Sequence, residues 1–136
     1  MVQALPPAST GTKQTDDGYF CIDPAVFHAD FAADLPEAKA AFMVESQVLI
    51  SADSFTSPVK TPAWKSKPTW YMVATADRSI NPDQERMMAK RANAKTVEVN
   101  SSHVAYMSHP KETAELIKEA AASVSGAAVT SAPGNH

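Results

Sequence analysis

Residues 67–122 carry the clearest pattern of apolar and polar positions in the chain. The run 69–75 is aromatic and β-branched and does not alternate with polar residues, which predicts a strand buried on both faces. A helix is predicted over 82–93, after an Asn-Pro start, and a second strand over 95–99. A last helix opens near Pro110. The order strand, helix, strand, helix predicts a βαβ unit with parallel strands.

The last helix carries a stripe of apolar residues at helical spacing. Residues at such a spacing fall on one face of a helix, and we expect that face to pack inward. The stripe consists of Ala114, Ile117, Ala121 and Val124.

The rest of the chain divides into three segments of different amino-acid composition. Residues 1–18 are rich in Pro, Ser, Thr and Asp, which predicts an extended lead without a packed element. Residues 19–66 carry short helical patterns interrupted by prolines, one of them opening at Asp23-Pro24. Residues 123–136 turn to Ser, Gly, Ala and Pro, which predicts a flexible tail.

Composition excludes several classes of protein. The 136 residues are 44% hydrophobic and 20% charged, as expected for one globular domain. Twelve Lys and Arg against fifteen Asp and Glu give a net charge of −3, which argues against a nucleic-acid partner. No apolar run is long enough to span a membrane. No signal peptide is recognisable, which leaves the compartment open with the cytoplasm as the default.

Two ionisable residues follow the two predicted strands. Asp77 comes after the first strand and His103 after the second. Functional groups gather past the carboxyl ends of parallel strands, and neighbouring strands lie ~5 Å apart, so the two side chains could meet. A carboxylate beside an imidazole orients the ring and stabilises its protonated form, as general base catalysis requires. An Asp after a strand is also a common turn former, and a His in a loop is commonly incidental.

Other chemistry is less well supported by the spacing. Ser101 and Ser102 adjoin His103 too closely in sequence to reach the imidazole as nucleophiles, and His109 fits a surface or capping role before Pro110. No set of residues has the short ligand spacing of a zinc site, so no metal and no cofactor are expected. The zinc ligands considered were Cys21, His28, His103 and His109.

The sequences around Asp77 and His103 resemble a known family. Asp77-Arg-Ser-Ile-Asn-Pro and His103-Val-Ala-Tyr-Met-Ser-His-Pro look like the C-terminal end of an α/β-hydrolase, closest to the branch with plant methyl-ester esterases and hydroxynitrile lyases. Residues 19–66 resemble the helical cap of bacterial and fungal members of that branch. The resemblance implies an α/β fold that is partial: a C-terminal βαβα portion, residues 67–122, preceded by the cap segment.

The resemblance also implies roles for residues. The charge-relay acid falls on Asp77 and the general base on His103. Candidates for a substrate pocket under the cap are Trp64, Trp70, Phe42 and Met43, although such residues are also common in core and cap packing. The nucleophile motif G-x-S-x-G is missing from the 136 residues, as are the first six strands and the oxyanion loop. We therefore expect the last half of a hydrolase of small esters or amides, inactive alone.

Two other functions remain open. A sheet of two strands exposes an edge, which favours pairing with a complementary half or self-association, so the chain could be a non-catalytic remnant or interaction module. Hydroxynitrile lyase chemistry would need a cation near the substrate, for which the candidates are Lys60, Lys65 and Lys67.

Overall fold

The computed structural model describes residues 5–130, with side chains through residue 124. The part before residue 67 mixes short strands and short helices, where mainly helices were predicted. The elements are β1 (Thr12–Gln14), β2 (Tyr19–Ile22), α1 (Pro24–Phe31), α2 (Glu37–Glu45), β3 (Ile50–Ser51), α3 (Asp53–Thr56) and a 3-10 turn at Ala63–Lys65. The three strands form an antiparallel sheet in the order β1-β2-β3. Helix α1 starts as predicted, because Asp23 accepts the N–H of Ala25 and Pro24 takes the first turn.

The second part confirms the predicted strand-helix-strand-helix order. Its elements are β4 (Trp70–Ala74), α4 (Pro82–Arg91), β5 (Lys95–Val99), α5 (Ala105–Ser108) and α6 (Pro110–Thr130). Strands β4 and β5 are parallel, with Trp70 opposite Lys95 and Ala74 opposite Val99. The predicted α/β unit with parallel strands is therefore confirmed.

The largest buried cluster lies in the cap segment and reaches one loop of the second part. Val104, in the loop after β5, is completely buried in this cluster. Its other buried members are Phe27, Ala32, Leu35 and Ala40. The loop that follows β5 is thus packed against the cap segment by apolar contact as well as by the polar contacts described below.

The extended lead was predicted wrongly in part. Strand β1 lies inside residues 1–18 and pairs with β2. Before it, the N–H of Ser9 donates to the carbonyl of Arg78 at 2.9 Å, and the side chain of Asn81 donates to the carbonyl of Pro6 at 3.0 Å. The lead is ordered by these partners, which lie 69 to 75 positions away and which local composition cannot reveal.

The last helix also differs from its prediction. It continues to Thr130, whereas the flexible tail was expected from 123, and residues 131–136 lie outside the described part. All four members of the predicted inward stripe are exposed, and the two largest, Ile117 and Val124, are 63% and 57% exposed. The packed face begins one residue away, where the hydroxyl of Thr113 contacts the sulfur of Met72 on β4. Two strands cover only one narrow side of this helix.

Strand β4 is buried only at its carboxyl end. Val73 and Ala74 are buried, but residues 70–72 are half-buried, whereas burial on both faces was predicted for the whole strand. Only one edge of β4 is paired, by β5, within the described residues. Among the same residues, no helix combines the length and hydropathy that a bilayer crossing demands.

Candidate active site

The loops after β4 and β5 bring Asp77 and His103 together. The two loops are joined by a backbone hydrogen bond from the N–H of Ala76 to the carbonyl of Ser101 at 3.1 Å. Nδ1 of His103 lies 2.7 Å from Oδ2 of Asp77. The contact expected from the positions of these residues at the strand ends is present. The Asp77 side chain is 2% exposed and that of His103 31% exposed, so the carboxylate is sealed and the ring is accessible.

Asp77 is held by its own loop. Its Oδ1 accepts the N–H groups of Ser79 at 2.7 Å and Ile80 at 3.0 Å, which fixes the carboxylate in a tight turn. Burial alone would raise the pKa of Asp77, but the hydrogen bonds from His103 and Ile80 outweigh burial and hold the pKa below its usual range. An ionised Asp77 only accepts hydrogen bonds, so Nδ1 of His103 carries the proton and Nε2 keeps a lone pair.

A second buried carboxyl group lies behind Asp77. Glu85, on α4, is 4% exposed, and its Oε2 accepts the N–H of Ala74 at 3.1 Å. Burial and the neighbouring Asp77 carboxylate raise the pKa of Glu85 to about 7, although the Ala74 N–H acts in the opposite direction. Below that pH, Glu85 is neutral and the negative charge of the pair stays on Asp77.

The cap segment contacts both loops through carboxylates. Asp30, near the end of α1, accepts from Nε of Arg78 at 2.7 Å and from the hydroxyl of Ser9. These two hydrogen bonds lower the pKa of Asp30 against the effect of burial. Asp34, in the turn after α1, accepts from Ser101 and Ser102. One carboxylate therefore holds the loop of Asp77 and the other the loop of His103.

A cavity of about 510 Å³ opens between the cap segment and His103. Its wall is mainly apolar and includes the ring of Phe31, whose centroid lies 4.7 Å from that of His103. Other lining residues are Cys21, Ile22, Phe27, Met43 and Ser79. A smaller cavity of about 270 Å³ is lined by His103 together with Asp77, Glu85 and Trp70. Two cavities therefore reach the histidine.

A sequence model of the alpha/beta hydrolase family matches residues 2–116. The chain belongs to the alpha/beta hydrolase family. No curated protein matches the chain in sequence. Within this alpha/beta hydrolase, the acid-imidazole pair lies at the carboxyl ends of parallel strands, where α/β folds place their functional groups.

The four predicted pocket residues are not brought together, although Met43 lines the larger cavity beside His103. Phe42 is 73% exposed, and Trp64 contacts Arg91, with the guanidinium 5.3 Å from the ring centroid. Neither lines a cavity that His103 lines. Trp70 does line the smaller one, while its indole N–H donates to Glu119 at 3.4 Å. The larger cavity beside His103 is instead lined by residues of α1 and of β2, and β2 lies in a segment for which the sequence pattern predicted helices.

The other residues considered from sequence have structural partners. Ser101 and Ser102 are buried, and their hydroxyls donate hydrogen bonds to the carboxylate of Asp34. His109 contacts the hydroxyl of Ser108 at 3.0 Å through Nδ1, and His28 contacts the carbonyl of Leu35 at 2.9 Å. Among residues 5–124, no three His, Cys, Asp or Glu side chains converge to hold a metal ion.

Sequence reasoning missed the three carboxyl groups around the pair. Glu85 could have been found, because it lies one helical turn before the buried Ala89 on the inward face of α4. Asp30 lies one position before Phe31, whose ring touches His103, but no local pattern distinguishes its carboxylate from a solvated one. Asp34 carries no such signal at all, since its partners are 67 and 68 positions away.

Proposed function

We propose that Asp77 and His103 are the acid and the general base of a serine hydrolase that acts on small esters or amides. The observation that carries this proposal is the 2.7 Å contact between Nδ1 of His103 and the sealed carboxylate of Asp77. This contact fixes the tautomer in which Nε2 can accept a proton, and Asp77 then stabilises the imidazolium. The apolar cavity beside His103 suits an uncharged substrate of small size.

The chemistry requires a serine hydroxyl, and within residues 5–124 none is hydrogen-bonded to His103. Ser79 lines the same cavity, but its hydroxyl donates to the carbonyl of Asp30 at 3.0 Å. In the proposed reaction, Nε2 takes the proton of the required serine hydroxyl as its oxygen attacks the ester carbonyl. The imidazolium then returns the proton to the leaving alcohol, which leaves an acyl-serine. In the second half of the reaction, Nε2 takes a proton from water as the water oxygen attacks the acyl-serine. The imidazolium then returns this proton to the serine oxygen, and the acid product leaves.

We propose that a segment outside these 136 residues, on the same or on another polypeptide, supplies this serine, because the 136 residues contain no G-x-S-x-G. The unpaired edge of β4 is where such a segment would add its strand. Thr75 donates to Val99 and Lys95 donates to Thr69, so the odd-numbered residues of β4 face β5. The main-chain groups of Trp70 and Met72 therefore point to the open side, whereas Ala74 already donates to Glu85 and accepts from the N–H of Asp77.

The test is a p-nitrophenyl ester assay, combined with fluorophosphonate labelling, on the full chain alone and mixed with a polypeptide that holds strands one to six and the G-x-S-x-G of an alpha/beta hydrolase. We expect turnover and a labelled serine only in the mixture. His103→Ala should then lower turnover by about 10³-fold or more, and His109→Ala, a second His in the same region, should not. Turnover by the chain alone, or turnover in the mixture that survives His103→Ala, would contradict the proposal.

The second candidate is a non-catalytic interaction module that associates through the same edge. The observation that favours it is the open side of β4 together with the exposed Ile117 and Val124 of α6. This candidate predicts a concentration-dependent oligomer in size-exclusion chromatography, with no turnover in the mixture. A sharp monomer peak at every concentration would argue against it.

Hydroxynitrile lyase chemistry finds no support in the cavity. Neither Lys60, Lys65 nor Lys67 lines the space beside His103, and Lys65 instead lies 5.7 Å from the Trp64 ring centroid. We therefore propose ester or amide hydrolysis within the esterase-like branch rather than cleavage of a nitrile-bearing substrate.

A further inference from the structure

The Asp34 carboxylate receives three hydrogen bonds from the two residues that precede His103. Its Oδ2 accepts the hydroxyl of Ser101 at 2.6 Å and the N–H of Ser102 at 3.1 Å, and its Oδ1 accepts the hydroxyl of Ser102. Ser101 is 1% and Ser102 4% exposed, so solvent water cannot replace Asp34 as the acceptor of these hydrogen bonds. The N–H and the hydroxyl of Ser102 therefore depend on this one carboxylate, which comes from the cap segment, whereas the hydroxyl of Ser101 also lies within hydrogen-bond distance of the Ser102 carbonyl.

The same cluster reaches the helix that follows the loop. The hydroxyl of Ser101 lies 2.8 Å from that of Ser108, on α5. Burial acts to raise the pKa of Asp34, but the hydrogen bonds of the three serines outweigh it and lower the pKa well below its usual range. Asp34 is thus ionised across the pH range in which a histidine base works, and these charge-assisted hydrogen bonds are of the stronger kind.

His103 stands between two anchored neighbours. On one side Ser102 is bound to Asp34, and on the other Val104 is fully buried among cap residues that include Leu35. The backbone of His103 cannot shift without breaking one of these contacts. Its ring in turn lies between Asp77 and the face of Phe31.

We propose that Asp34 is a positioning residue for His103. It fixes the backbone of residues 101–102 so that Nδ1 points at Asp77 and Nε2 stays available. The catalytic meaning of this role rests on the proposed function, but the position of the ring does not. The cap segment then has a second task besides covering the cavity, because it supplies the anion that assembles the acid-imidazole pair.

The test is a ¹⁵N and ¹H NMR measurement on the His103 ring of the full chain. In the unmodified protein we expect the Nδ1–H tautomer and slow exchange of the Nδ1 proton with water. In Asp34→Asn, which keeps the side-chain shape but loses the charge and one acceptor oxygen, the exchange should become about tenfold faster and the two tautomers should mix. Ser102→Ala should act in the same direction with a smaller effect.

The matched control is Gln47→Ala. Gln47 holds the main chain of Ile22 through two hydrogen bonds at 2.9 and 3.0 Å, so its loss destabilises the cap segment without touching residues 101–103. If it speeds Nδ1 exchange as much as Asp34→Asn does, Asp34 only stabilises the fold. The proposal would also be overturned if the Nδ1 proton of folded Asp34→Asn exchanged with water at a rate within twofold of the rate in the unmodified protein.

If Asp34→Asn does not fold, the exchange rate of the His103 Nδ1 proton is measured in Ser102→Ala instead. Faster exchange in that variant supports the positioning role, and an unchanged rate contradicts it. If His103 is loosened by these changes but the mixture with a G-x-S-x-G polypeptide never turns over, the positioning role stands and the proposed hydrolase function fails. If that mixture turns over but the His103 ring is undisturbed in the variants, the hydrolase function stands and the positioning role fails.

Discussion

We expect the unmodified protein to become less stable as the pH rises through neutrality, and we expect Glu85→Gln to abolish this change. Glu85 is 4% exposed, and burial together with the adjacent Asp77 carboxylate raises its pKa from the ordinary value of 4.5 to about 7. Between these values the folded chain holds a proton that the unfolded chain has released. The free energy of unfolding therefore falls as the pH rises.

The size of this effect follows from the difference between the two pKa values. The stabilisation is fully present below the unfolded pKa of 4.5 and is lost as the pH rises through about 7. A difference of this size corresponds to about 3 kcal/mol. Gln has nearly the same shape, keeps an oxygen for the N–H of Ala74 and cannot ionise. At about pH 8 we therefore expect Glu85→Gln to be more stable than the unmodified chain by up to ~3 kcal/mol, with little difference at about pH 5.

The measurement is urea unfolding of both proteins at the two pH values, followed by the fluorescence of Trp64 and Trp70. Glu45→Gln is the control, because Glu45 is exposed on α2 and far in sequence from the Asp77 loop. Its effect should be the same at both pH values. If Glu85→Gln is instead less stable than the unmodified chain at the higher pH, Glu85 is an ionised group with a favourable partner and our assignment of its charge is wrong.

Two further predictions concern the cap segment. Phe27 is 2% exposed, so Phe27→Ala should lower the free energy of unfolding by about 3–5 kcal/mol, whereas Phe42→Ala, at a position 73% exposed, should change it by no more than ~0.5 kcal/mol in the same urea assay. Arg78→Ala leaves the buried carboxylate of Asp30 without its cation and should cost about 1–2 kcal/mol at neutral pH. The loss of stability caused by Arg78→Ala should be smaller in acid, because the pKa of Asp30 is lowered and the stabilisation by its carboxylate is lost as the pH falls. An equal loss of stability at neutral and acid pH would contradict this prediction.

The second half of the chain could be predicted because its signals are local. The non-alternating run before Asp77, the Asn-Pro helix start and the short strand 95–99 each determine their own element. Strand β5 has the predicted bounds, and β4 lies within the predicted run. Once two parallel strands were expected, the meeting of Asp77 and His103 followed from strand spacing alone.

The first half could not be predicted in the same way because its order comes from distant partners. Strand β2 is four residues long and only half-buried at three of them, so it lacks the alternation that reveals a strand. Strand β1 is exposed throughout and is a strand only because Cys21 and its neighbours pair with it. The pocket prediction depended on this segment, and the cavity wall accordingly contains β2 residues that a helical segment would have placed elsewhere.

Two carboxylates in the cap segment hold the loops that carry the acid-imidazole pair. Asp30 and Asp34 lie at the end of α1 and in the turn after it, and each binds a different loop of the two-stranded sheet. Because both loops are tied to the same short segment, the distance between Asp77 and His103 is set by contacts internal to this chain. Under the proposed function, a segment that supplied the nucleophile would therefore meet an imidazole already oriented by Asp77, and would add its serine, an oxyanion loop and a strand for the open edge of β4.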